Sequence, residues 1–208
     1  GIAPNEQVVE SSEVIFLCLL ARVAEEVLPG LPFRADQSII SVMVDTPLIK
    51  LRQLCAPATE IAITIPLPPI ADGGCPLPVY PDSPALHALF GARNLILPLQ
   101  SEAALSAHFG ASALCSPILD QLATTADWLA GFTGDPGSAE AYVAAMIRAY
   151  LPEHTSRGDL AEALRKLSTE GGFNATLRAV MTPAKLDLRR GLNGFRKRLG
   201  LPDDEAQT

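Results

Sequence analysis

Asp72-Gly73-Gly74-Cys75 is where a nucleophile and room for close backbone approach coincide in this 208-residue sequence. A thiol attacks as thiolate, so a catalytic Cys75 needs a histidine, a cation or a helix N-terminus beside it. His87 and His108 are present in the chain, but no charged base adjoins Cys75 and Pro76 follows it directly. The residues therefore favour a turn cysteine over a catalytic one. Cys115 precedes Ser116-Pro117, a helix start whose dipole would favour a thiolate. Its neighbours Ala113, Leu114 and Ile118 argue instead for a small buried side chain. Cys18 lies within an apolar run and is expected in the core, and a bridge between Cys55 and Cys75 is left open.

The remaining chemistry is sparse. His87, His108, His154 and the four cysteines show no C-x-x-C or H-x-x-x-H spacing, so no metal or other cofactor is expected. Neither G-x-x-x-x-G-K-[ST] nor G-x-G-x-x-G occurs. Phe132–Ser138 offers glycines ahead of a helix, yet Asp135 and Glu140 would repel a phosphate, so it reads as a loop and cap. Arg157-Gly158-Asp159 and Asn174-Ala175-Thr176 match short recognition strings of a kind that arises by chance. Asp159 with Glu162 reads as a capping box.

Two surface features stand out as binding elements. Residues 1–177 carry nine basic and nineteen acidic side chains, a net of −10, whereas residues 178–198 carry seven basic against Asp187, a net of +6. A final helix from Thr182-Pro183 would stack Leu188, Leu192, Phe195 and Leu199 on one face. Arg189, Arg190, Arg196 and Lys197 then fall opposite or beside that stripe. Such a face suits an acidic patch on a protein partner, or self-association, ahead of nucleic acid or an acidic membrane surface, because an acidic body opposes polyanions. The second feature is Ile65–Pro84, with seven prolines. Pro68, Pro69 and Tyr80 mark it as a stiff, ordered connection suited to recognition, its tip at Asp72–Cys75 exposed.

The elements that must position these residues follow from periodicity. Ser12–Leu28 is predicted as one nearly all-round apolar helix. Ser38–Val44 and Glu60–Ile65 read as strands with a helical turn at Pro47–Leu54 between them. Ser83-Pro84 starts a short helix ending at Gly91, and Asn94–Leu99 is a third strand. Beyond Ser101 the pattern is helix upon helix, with segments at Ser101–Phe109, Ser116–Ala130, Ser138–Tyr150, Asp159–Leu167 and the basic C-terminal element. The expected fold class is α+β. A small mixed sheet with helices occupies residues 1–100, and an all-helical half, residues 101–208, packs against it, the two making one compact unit.

Composition supports a folded chain. Hydrophobic residues make up 48% and charged residues 19%, far from the disordered regime. The longest uninterrupted apolar run, Val14–Ala21, is well short of the ~18 residues of a membrane span. Glu6, Glu10 and Glu13 ahead of it are unlike a secretory leader. Four cysteines without paired spacing point to a cytoplasmic or other reducing compartment. With no catalytic constellation visible, the sequence favours a non-enzymatic interaction or assembly protein, an adaptor, chaperone-like or structural subunit. The alternatives are an enzyme centred on Asp72–Cys75 and a nucleic-acid binder using residues 185–198.

Overall fold

The structure, a computed structural model, describes residues 2–43, 45–151 and 157–202. Val44, His154 and the acidic residues Asp203, Asp204 and Glu205 lie outside the described residues. The fold is α+β, a mixed five-stranded sheet in the N-terminal half followed by helices. Two compact units are distinct. One comprises the described residues up to Gly110 with the segment from Arg196 on; the other is Ala111–Phe195.

The first unit opens with α1 (Asn5–Ser11), β1 (Val14–Leu17), α2 (Ala21–Val27), β2 (Ser38–Ser41), α3 (Leu48–Leu54) and β3 (Glu60–Thr64). The single helix predicted over Ser12–Leu28 is therefore two elements and a turn. A short apolar run such as Val14–Leu17 has no periodicity that separates a buried strand from a buried helix. Pairing decides it. Val14 to Leu17 run parallel to Ser38 to Ser41, which run parallel to Glu60 to Ile63. β3 is buried on both faces from Ile61 to Thr64, as expected of a parallel strand covered by helices.

After a 3-10 turn at Pro68–Ala71 come β4 (Pro76–Tyr80), α4 (Pro84–Phe90), β5 (Leu95–Pro98) and α5 (Glu102–Ser112). The predicted third strand is thus the fifth, and the proline-rich connection itself contains a strand. β4 runs antiparallel to β3, and β5 parallel to β4. The carbonyls of Cys75 and Val79 accept from Leu95 and Leu99 on the β5 side. By alternation Pro76 and Pro78 face β3, where the ladder is only Ile63–Tyr80 and Thr64–Val79. Missing N–H groups cost little there, and the Thr64 hydroxyl donates to the Pro78 carbonyl at 2.8 Å in place of a ladder bond.

Strand order β1-β2-β3-β4-β5 follows the chain. Right-handed crossovers advancing in one direction put α2 and α3 on one face. Reversal of strand direction between β3 and β4 sends the next right-handed crossover, α4, to the other. The core divides accordingly. Ile15, Leu17, Ile39, Ile61 and Ile63 pack with Ala24, Leu28, Leu48, Leu51 and Leu54. Ile40, Ala62 and Val79 pack with Leu86 and the partly buried Phe90, whose ring meets Phe16 edge-on at 5.9 Å. Beneath β1, the carbonyls ending α1 are satisfied by buried Gln37, which donates to Val9 at 2.6 Å and Ser12 at 2.9 Å, and by Arg34.

The second unit holds α6 (Cys115–Thr133), α7 (Pro136–Tyr150), α8 (Asp159–Lys166), α9 (Phe173–Val180) and α10 (Thr182–Gly194). α6 ends in left-handed Gly134, and Asp135 then caps α7, accepting from the Ser138 N–H at 3.1 Å and its hydroxyl at 2.6 Å. Those bonds hold the Asp135 carboxyl below its usual range. The capping box at Asp159 does not form. Gly158, at φ +102°, occupies the cap position, and Glu162 pairs with Arg165 at 2.7 Å. α10 stops at Gly194, short of the predicted extension through Leu199. Gly191 and Gly194 weaken helix propagation there.

Candidate functional site

In open sheets with parallel βαβ units, ligands gather beyond the carboxyl ends of the strands. Here those ends are Leu17, Ser41 and Thr64. Beyond β1 the chain exposes Cys18 and Leu20 before turning into α2. Beyond β2, the buried Ser41 hydroxyl accepts from the Met43 N–H at 3.1 Å, and Thr46 follows in the turn to α3. Thr46 Oγ1 is the one buried side-chain polar atom left without a hydrogen-bond partner among the described residues. An orphaned buried hydroxyl costs roughly 1–3 kcal/mol. At the start of α3, Glu102 of α5 accepts from the Leu48 N–H at 2.9 Å. Beyond β3, Thr64 ties the edge to β4, so the carboxyl edge is fixed on both flanks.

The residues singled out from sequence do not assemble elsewhere. The tip of the proline-rich stretch is ordered by a clasp. The Gly74 N–H donates to the Arg93 carbonyl at 2.7 Å, the Arg93 guanidinium to the Asp72 carbonyl at 2.9 Å, and the Cys75 N–H to Asn94 Oδ1 at 3.1 Å. Cys75 is buried rather than exposed, correcting the predicted loop tip, whose exposed residues are Asp72 and Gly74. The histidines are engaged elsewhere. His87 Nε2 meets Asp82 Oδ1 at 2.8 Å, and His108 Nδ1 lies 2.8 Å from the Ala104 carbonyl. Pro68 and Pro69 are exposed in the 3-10 turn, while Tyr80 is half-buried against the core at the far end of β4.

The cations divide as well. Arg189 and Arg190 are exposed on α10, with Arg190 paired to Asp187 at 2.7 Å. Arg196 and Lys197 follow the helix end and belong to the other unit, Arg196 donating to the Pro202 carbonyl at 3.1 Å. No single helical face carries all four.

Cys18 and Cys115 are exposed, against the expectation that both are packed, and all four thiols are free. Cys55 is the buried extreme, its pKa pushed from 9.0 to about 11 by desolvation. Among the described residues no three His, Cys, Asp or Glu side chains converge as a metal site, and no helix is long and apolar enough to cross a membrane.

The helix predicted over Ser12–Leu28 hides the carboxyl edge, because it absorbs β1. A signal was available. Val14–Leu17, Ala21–Val27, Ser38–Ser41, Leu48–Leu54 and Glu60–Thr64 alternate as strand and helix, the pattern of a parallel sheet.

By sequence the chain matches no protein-family model and no curated protein. By structure it is similar to a pyrroline carboxylate reductase of Plasmodium falciparum with NADP bound. That likeness has 14% identity and a TM-score of 0.79, over 95% of this chain and 80% of that one. A pyrroline-5-carboxylate reductase from Coxiella burnetii matches with 15% identity and a TM-score of 0.72, over 94% and 78%. A 1-pyrroline-5-carboxylate reductase from Streptococcus pyogenes matches with 16% identity and a TM-score of 0.72, over 93% and 78%. At these identities the likeness is one of fold. It overturns the expectation of a non-enzymatic adaptor or assembly protein, because the solved structures that share this fold are reductases. That reading relied on local motifs, whereas this resemblance lies in strand order and helix placement.

Proposed function

We propose that this protein is an NAD(P)-dependent oxidoreductase that reduces a small cyclic imine carboxylate, in the manner of a pyrroline carboxylate reductase. The observation that carries the reading is the fold shared, over nearly the whole chain, with a reductase holding NADP. The carboxyl edge of β1–β3 supports it. Exposed Leu20 gives an apolar lip for the flat face of a nicotinamide, and Thr46 Oγ1 is a buried hydroxyl in want of a polar partner. Leu20 and Thr46 lie beyond β1 and β2, on the edge where a dinucleotide would rest. For its pyrophosphate, the described residues offer no glycine-rich turn between a strand and a helix.

When bound, the reduced nicotinamide supplies a hydride. Reduction of the imine places that hydride on carbon and a proton on nitrogen. This chain's own residues fix the edge that would hold the ring. Glu102 anchors the start of α3, Thr64 anchors β3 to β4, and the exposed Leu20 would shield a bound ring from water. The test is fluorescence titration of the full protein with NADPH and NADH, followed by absorbance loss at the nicotinamide band on adding 1-pyrroline-5-carboxylate. Saturable binding and substrate-dependent oxidation are expected. A folded protein that binds neither dinucleotide at millimolar concentration overturns the reading.

A further inference from the structure

The carboxyl edge of β1–β3 is made by three turns, residues 18–20, 42–47 and 65–67. They read Cys-Leu-Leu, Val-Met-Val-Asp-Thr-Pro and Ile-Pro-Leu, so Asp45 is the one charged residue among them. Asp45 is exposed, and among the described residues its carboxylate has no ion-pair or hydrogen-bond partner. Lys50, the basic residue nearest to it in sequence, pairs with Glu25 at 3.3 Å instead. The other carboxylate at this end of α3, Glu102, is engaged by the Leu48 N–H at 2.9 Å.

The turn that carries Asp45 is pinned. The Val42 N–H donates to the Leu17 carbonyl at 3.0 Å, the Met43 N–H to Ser41 Oγ at 3.1 Å, and the Thr46 N–H to the Met43 carbonyl at 3.3 Å. A second group in the same turn also lacks a partner, because Thr46 is only 3% exposed and its Oγ1 is unsatisfied. A fixed, unpaired carboxylate on an otherwise apolar edge suits a small cation with an N–H to donate. The same charge repels a carboxylate or a phosphate, so those parts of a ligand lie away from it.

The reduction proposed above, on which this inference rests, moves a positive charge across such a site. A protonated imine accepts the hydride with both electrons of the C–H bond that breaks. A C–H bond forms at the imine carbon, and the C=N π pair becomes the nitrogen lone pair. The charge thus leaves the imine and appears on the nicotinamide ring. A carboxylate beside that path attracts the charge at either end and transfers no proton itself.

We infer that Asp45 holds the substrate nitrogen in its protonated, iminium form and selects cationic over neutral ring compounds at this edge. Unit charges ~4 Å apart in water favour binding by about fivefold, and by more once the ligand displaces water. In NMR titrations of the full chain at matched ionic strength, pyrrolidine hydrochloride should bind at least fivefold more tightly than tetrahydrofuran, its neutral ring analogue. Asp45→Asn should abolish that preference with circular dichroism unchanged, and Asp45→Glu should keep part of it. The ratio of NADP+ to NADPH affinity should fall at least threefold in Asp45→Asn, because only the oxidised ring is cationic. Turnover of 1-pyrroline-5-carboxylate should lose at least tenfold in kcat/KM in Asp45→Asn and recover in part in Asp45→Glu. Cation preferences that Asp45→Asn leaves unchanged overturn the inference while the proposed reaction stands. A chain that binds no dinucleotide overturns the proposed reaction. The pyrrolidine titrations then decide for Asp45 alone, and no preference, or one that Asp45→Asn retains, overturns its role.

Discussion

A hydroxyl with no partner and a thiol with no water define the residue scale. Thr46 Oγ1 is buried and unsatisfied, so replacing it with an isosteric methyl removes a desolvation cost. Thr46→Val should therefore stabilise the ligand-free protein by about 1 kcal/mol, a rise in Tm of roughly 2–4 °C by calorimetry. If the hydroxyl serves the nicotinamide end, the same variant should weaken NADPH binding several-fold. Stability gained at the expense of binding is the pattern of a functional group. Cys55 behaves oppositely to Cys18. With its thiol pushed up to about 11, Cys55 should resist a disulfide reagent at pH 8 until the protein unfolds, whereas exposed Cys18 and Cys115 label at once. A thiol pKa raised in the folded state means that folding holds the proton. Its contribution is thus complete below about 9 and is lost as pH rises toward 11. Urea melts at pH 8 and pH 10 should show stability falling, and less so in Cys55→Ala. None of this was legible in the sequence, because burial and missing partners are products of packing. Sequence neighbours even misplaced Cys18 and Cys115 in the interior.

Backbone geometry carries the weight at the scale of elements. Gly73 and Gly74 adopt φ of +88° and +71°, and a Cβ on Gly73 would sit 3.1 Å from the Arg93 carbonyl. Gly73→Ala should cost about 1–2 kcal/mol, from left-handed strain and a loosened clasp on β4. Gly131→Ala, within α6 and with nothing near its added methyl, should be neutral or stabilise by up to about 1 kcal/mol. Equal effects in chemical denaturation would refute the distinction. Here the sequence spoke clearly in places. Ser83-Pro84 predicted a capped helix start, and the Ser83 hydroxyl does accept from the Leu86 N–H at 3.3 Å. Ser38–Ser41 and Glu60–Thr64 were readable as strands from their β-branched runs. β4 was not, because prolines argue against a strand between two neighbours. It exists since both prolines face the side where the β3 ladder has already ended.

For the whole molecule, the dinucleotide should appear as mass action. Tm should rise with NADPH, by the equivalent of about 2.7 kcal/mol at a hundredfold excess over Kd. A Tm flat in NADPH would contradict the proposed function. By itself the sequence determined that the chain folds, that it is α+β with its sheet in the first half, and that its charge is polarised. These follow from composition and short-range periodicity, which each segment carries alone. Only the tertiary structure decided that Val14–Leu17 is a strand, that β1–β3 run parallel and that Thr46 stands orphaned at their carboxyl edge. It also parted Arg189 and Arg190 from Arg196 and Lys197. Those outcomes depend on which distant segments pair, and pairing energy resides in contacts that no local stretch contains.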